Sequence, residues 1–223
     1  MLLVSHPTGN ANVRQALQAF DEAELLAEFA TTVAVFPGNF WDLLSKTGAG
    51  AAFSRRSFDP RLRQRTRQYP ARELARLIAP RIGLQRLTAC ENSSFSVDRL
   101  YQAIDRKVAI RLRTLFNQSD QATGATSALT AVYAYEDGAL KTFRTAREQG
   151  LRCLYDLPIG YWRAARRIQG DECERLPAWA ATMPALIDSD AKLARKDEEL
   201  QLADQIIVAS SFTAKTLEEA PFD

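Results

Sequence analysis

The chain is short of the residues that usually announce a chemistry. Its 223 residues hold one histidine, His6, and three cysteines, Cys90, Cys153 and Cys173, with no pair at C-x-x-C spacing. That count and spacing give no disulfide framework and no thiolate zinc motif, and they point to reduced thiols in a cytoplasmic protein. Cys153 lies in an apolar run and reads as a small core residue. No apolar stretch approaches a membrane span, and the opening MLLVSHP is too short for the apolar core of a signal peptide. Neither sign of charge prevails: 29 Lys and Arg stand against 27 Asp and Glu. Overall charge therefore calls for no polyanionic partner, and nucleic acid is not expected. G-x-G-x-x-G is missing as well, which disfavours a nicotinamide-dependent oxidoreductase. His6, Glu136 and Asp156 offer metal-binding atoms without a tight ligand motif, so neither metal nor cofactor is expected.

What is present is an alternation. Leu2–Ser5 is a short apolar run, followed by a Gly/Asn loop and helical spacing from Val13 through Leu25. Glu28–Phe36 alternates as a second strand. Gln85–Ala89 is the third and weakest in pattern, Ala131–Tyr135 the fourth, Arg152–Tyr155 the fifth and Gln205–Ala209 the sixth. Between them lie helical stretches with recognisable starts: Asn10 or Asn12, Pro70, Ser96, Ser189 or Asp190, and Ser210 or Ser211. The expected class is α/β, a Rossmann-like parallel sheet with helices on both faces and strand order 3-2-1-4-5-6. Gln118–Ser127 is polar and reads as a loop. The helix from Ser96 to Phe116 is amphipathic, with Val97, Leu100, Tyr101, Ile104, Val108, Leu112 and Leu115 inward and Asp98, Arg99, Asp105, Arg106 and Arg113 outward. The charges of the helix ending near Asp204 read mostly as a solvated face.

Function in such a sheet is sought at the carboxyl ends of the strands. The stretch Ala131–Trp162 is a strand–helix–strand unit that puts Glu136 and Asp137 after one strand and Asp156 at the end of the next. In the expected order, His6, Gly9 and Asn10 arrive at the same edge from the first strand. A helix start at Asn10 or Asn12 leaves backbone amides aimed at the loop, suited to an anionic or sugar ligand, or the loop is an ordinary tight turn. Ser54–Arg76 carries eight arginines against Asp59 and Glu73. That block either attracts phosphate, on lipid head groups or on a phosphorylated acceptor, or forms a solvated surface. Asn39–Lys46, with Phe40 and Trp41, either packs on the core or rests on an anionic membrane surface.

The segments LLVSHPTGNANVRQAL, AYEDGAL, CLYDLPIGYWRAAR and KDEELQLADQIIVASSFTAKTL resemble the N-terminal half of retaining family 4 glycosyltransferases of the GT-B fold. The resemblance covers nearly the whole chain; the arginine-rich segment contributes little to it. It implies that residues 1–223 form the acceptor-side Rossmann-like domain of a two-domain enzyme, the donor-binding domain being absent and the chain inactive alone. The implied partners are a nucleotide-sugar donor and a sugar or a phosphorylated or lipid-linked acceptor, with retention of configuration and no metal. By the same resemblance Asp156 is the catalytic residue beside the reacting sugar, and Gly9 and Asn10 lie near the donor phosphates. Glu136, Asp137 and His6 face the acceptor; the alternatives are a turn cap at Asp156, a favourable helix start at Glu136–Asp137 and a packed strand-end histidine at His6. The alternative is a non-catalytic Rossmann-like binding module that keeps the sheet without the chemistry.

Overall fold

Six parallel strands form one open sheet in the order β3-β2-β1-β4-β5-β6 in the computed structural model, which describes residues 1–47, 53, 55–119 and 129–222. In chain order the elements are β1 (Leu2–Ser5), α1 (Ala11–Glu22), β2 (Leu26–Thr31), α2 (Phe40–Ser45), β3 (Thr66–Gln68), α3 (Ala71–Ile78), α4 (Val97–Ser119) and β4 (Ala131–Tyr135). There follow α5 (Leu140–Glu148), β5 (Arg152–Leu157), α6 (Trp162–Arg175), α7 (Asp190–Leu202), β6 (Gln205–Val208) and α8 (Ser211–Thr216). The fold is α/β and Rossmann-like, as the alternation predicts. The order reverses between β1 and β4, so a crevice opens at their carboxyl ends.

Each layer follows from the apolar pattern. β1 and the first four residues of β4 are buried on both faces, as central parallel strands must be. On one face Leu3, Val132, Ala134 and Tyr155 pack against Ile104, Val108 and Leu112 of α4 and Phe143 of α5. On the other, Val4, Phe29 and Tyr133 pack against Val13 and Leu17 of α1 and against Phe58 and Leu62. Asn10, Ser189 and Ser210 cap their helices through side-chain oxygens, and Ser96 Oγ accepts the Arg99 amide at 3.1 Å. Each of these caps contributes about 1 kcal/mol.

Four sequence expectations are corrected. Gln85–Leu87 is a 3-10 turn, and the third strand is Thr66–Gln68, within the arginine-rich segment. A three-residue edge strand bearing Arg67 has almost no periodicity to read, and its charge guards the edge against further pairing. β2 begins at Leu26 and ends at Thr31; Val35 makes only an isolated bridge to Ser57. Asp98 and Asp105 are buried instead of facing solvent, while Val97 is exposed. In α7, Lys196 and Glu199 are buried too. From residue 120 on, the expected loop lies outside the described residues, as does Ser54.

The buried acids explain why α5 starts at Leu140, two residues past Gly138, with no cap of its own. Glu199 of α7 accepts the amides of Asp137 (2.9 Å), Ala139 (3.0 Å) and Leu140 (3.1 Å) and the Tyr155 hydroxyl (3.0 Å). Asp105 of α4 takes the next two amides, Lys141 and Thr142, both at 2.8 Å. Two carboxylates from distant helices thus satisfy the α5 amino terminus. Glu199→Ala strands several buried donors at about 1–3 kcal/mol each. Urea unfolding of that variant should show a loss of at least about 3 kcal/mol. Removing the exposed Arg175–Glu172 pair should cost less than about 1 kcal/mol.

Candidate functional site

The chain leaves β1 through His6, whose ring is wholly buried. Its Nδ1 accepts the amides of Thr8 (3.2 Å) and Gly9 (2.8 Å), so the proton sits on Nε2, which has no hydrogen-bond partner among the described residues. Burial pushes its pKa down to about 3. His6 is therefore a neutral brace for the loop, and a ring without accessible surface does not contact a ligand from solution; the acceptor contact expected of it is corrected on that ground. The carbonyl of Pro7 anchors the loop to the end of β2 by accepting from Thr32 Oγ1 at 2.6 Å.

Gly9 turns the chain with φ +66°, and a Cβ there would stand 2.3 Å from Cζ of Phe58. Only glycine meets both conditions. Asn10 follows as the N-cap, its Oδ1 accepting the Val13 amide at 2.8 Å. The amides of Ala11 and Asn12 precede the first intrahelical bond, and no acid stands in that turn. The positive end of α1 faces the loop uncompensated.

An aromatic ridge runs across the edge from this loop to β5. The His6 ring lies 4.3 Å from that of Tyr135, and Tyr101 meets Tyr135 edge-on at 6.1 Å. Tyr135 stands opposite Asp156 in the β4–β5 register, and the Glu136 amide donates to the Asp156 carbonyl at 3.0 Å. Asp156 is half-buried. Burial raises its pKa above the ordinary value, while a hydrogen bond from Tyr133 pulls the other way.

Two depressions flank this ridge. One, of about 880 Å³, is lined by Thr8, Gly9, Asn10, Arg14, Arg55, Arg56 and Arg76 among others. Buried Glu73 bridges two of those arginines, pairing with Arg56 and accepting from Arg76 at 2.7 and 2.8 Å. The other, of about 510 Å³, has apolar walls that include Trp162, Ile168 and Phe212 over a charged floor of Asp137, Asp188, Lys192 and Lys196. There Lys196 Nζ meets Glu136 at 2.9 Å, Asp188 at 3.5 Å and Asp137 at 3.7 Å. Burial alone would lower the Lys196 pKa, but these carboxylates outweigh it and hold the ammonium charged. Asp137 adopts φ +68°, and its buried Oδ1 has no hydrogen-bond partner among the described residues.

Comparison with family models, with curated proteins and with solved structures gives no match.

The structure brings Gly9, Asn10, Asp137 and Asp156 to one edge of the sheet, but not into one cavity. Gly9 and Asn10 line the arginine-rich depression and Asp137 the amphipathic one; Asp156 lines neither. Glu136 is occupied by Lys196 behind them. Sequence reading passed over Arg14, Lys192 and Lys196 as site residues. Arg14 follows Asn10 by four positions, one helical turn, which was the available signal. For the two lysines no local signal existed, since their carboxylate partners lie about 50 residues or more away, apart from Asp188. Among the described residues no three His, Cys, Asp or Glu side chains gather as metal ligands.

Two tests follow from the loop. Gly9→Ala forces a side chain into a left-handed conformation and against Phe58, and thermal unfolding should register a loss of about 1–3 kcal/mol. His6 has a folded pKa below its unfolded value near 6.5, so the unfolded chain takes the proton first. Its contribution is fully present above that pH and is lost as pH falls toward 3. Between pH 6.5 and 4, stability should decline more steeply in the wild type than in His6→Gln, by about 1.4 kcal/mol per pH unit.

Proposed function

We propose that the chain is the acceptor-side domain of a retaining glycosyltransferase, which transfers a sugar from a nucleotide-sugar held by a second domain. The observation that carries this reading is the placement of Asp156 on the same sheet edge as the Gly9–Asn10 bend, connected through Tyr135 and His6. Sugar transfer needs an anion-stabilising group near the departing diphosphate and a polar group at the reacting sugar, in fixed relation. The free amides at the start of α1 supply the first. Asp156 supplies the second: half-buried at that edge, it accepts from sugar hydroxyls and favours positive charge developing at the anomeric carbon. The departing phosphate oxygen takes the acceptor's proton, so no separate base is required. Asp137 and the amphipathic depression offer hydrogen-bonding and apolar surface to an acceptor.

A non-catalytic binding module is favoured by one observation, that Glu136 and Asp137 are engaged by Lys196, Lys192 and Arg195. Turnover separates the two readings. In a protein carrying this chain together with a nucleotide-sugar-binding domain, Asp156→Ala should lower turnover by about 100-fold or more, with the unfolding midpoint little changed. Unchanged turnover removes Asp156 from the site. Binding of nicotinamide cofactors without any response to a nucleotide-sugar panel overturns the transferase reading itself.

A further inference from the structure

The arginine-rich depression holds more positive charge than its structural contacts require. Four guanidinium groups, from Arg14, Arg55, Arg56 and Arg76, line it, and no carboxylate does. The nearest acid, Glu73, is wholly buried and shared by Arg56 and Arg76, which leaves three positive charges unmatched. Arg56 is itself only 8 % exposed and is fixed to Thr32 Oγ1 at 3.1 Å. Arg14 is fixed through the carbonyl of Arg55 at 2.6 Å. Arg55 is exposed, and its guanidinium makes no hydrogen bond or ion pair among the described residues. Preorganised guanidinium groups beside the hydroxyl of Ser57 match the oxygens of a phosphate dianion. A volume of about 880 Å³ also leaves room for the body of a small phosphorylated molecule.

Position decides which phosphate. The arginine end lies beyond β2, since Arg56 reaches Thr32 just past that strand and Arg76 belongs to α3. Asp156 is on β5, three strand spacings away in the observed order, roughly 14 Å. A donor's diphosphate is bonded to the reacting anomeric carbon and must stay beside it. A phosphate held at the arginine end is too distant for that and belongs to another part of the reacting pair.

We propose that Arg14, Arg55, Arg56 and Arg76 form a binding site for a phosphate monoester dianion carried by the acceptor. That the phosphate belongs to an acceptor rests on the transferase reading; the phosphate site itself does not. The same chemistry is offered by a soluble phosphorylated sugar or polyol and by a phospholipid with a terminal phosphate, so the test has two arms. Calorimetric titration with glycerol 3-phosphate probes the first, and sedimentation with phosphatidylcholine vesicles, with and without phosphatidic acid, probes the second. In whichever arm binds, Arg55→Ala should weaken binding by about tenfold without altering thermal unfolding. Arg63→Ala, an exposed arginine outside the cavity, should leave it unchanged. The proposal is overturned if neither probe binds saturably, or if the two variants weaken binding equally. Those results would leave the turnover of the two-domain protein untouched, whereas lack of nucleotide-sugar response there would leave the phosphate site standing.

Discussion

The carboxyl edge of the sheet depends on acids taken out of water. A loop that leaves a buried strand and enters a helix exposes amides with nowhere to donate, and leaving such groups unpaired is costly. Here Glu199 reaches across from α7 to collect three of them and a tyrosine hydroxyl, and Asp105 collects two more. Glu73 does comparable work for guanidinium groups on the other side of the switch point. The rim is therefore set by contacts between distant helices rather than by the turn sequences themselves.

That dependence also fixes what could be read from residues alone. The strands and caps at the centre declare themselves locally, because apolar runs such as LLVS and single cap residues such as Ser189 act on their immediate neighbours. The strand order follows from connection rules, which are equally local in origin. The sites of the buried acids do not declare themselves. Asp105 and Glu199 stand in helices rich in charged residues, most of them facing solvent, and only the fold reveals that the α5 amino terminus lies against these two. β3 is hidden for another reason: three residues at an edge carry too little pattern. The candidate site is legible in the same proportion, its loops announced by position and its arginine and lysine partners supplied by tertiary placement.

The edge is divided by its aromatic ridge. On the β1–β2 side, the open amides of α1 and the arginines create a positive, polar basin. On the β4–β5 side, the lysines of α7 are balanced by Glu136, Asp137 and Asp188 beneath apolar walls. One half is therefore rich in positive charge, and the other sets apolar walls over a balanced floor. His6 holds this arrangement without ionising, its Nδ1 committed to the backbone and its ring tilted against that of Tyr135.

The cage around Lys196 has a chemical corollary. An amine can attack a carbonyl or an activated ester only with its lone pair free, and three surrounding carboxylates keep a proton on that nitrogen. Imine formation at Lys196 is thereby suppressed in the folded molecule, although the side chain forms part of a cleft floor. The residue serves there as a fixed cation rather than a nucleophile.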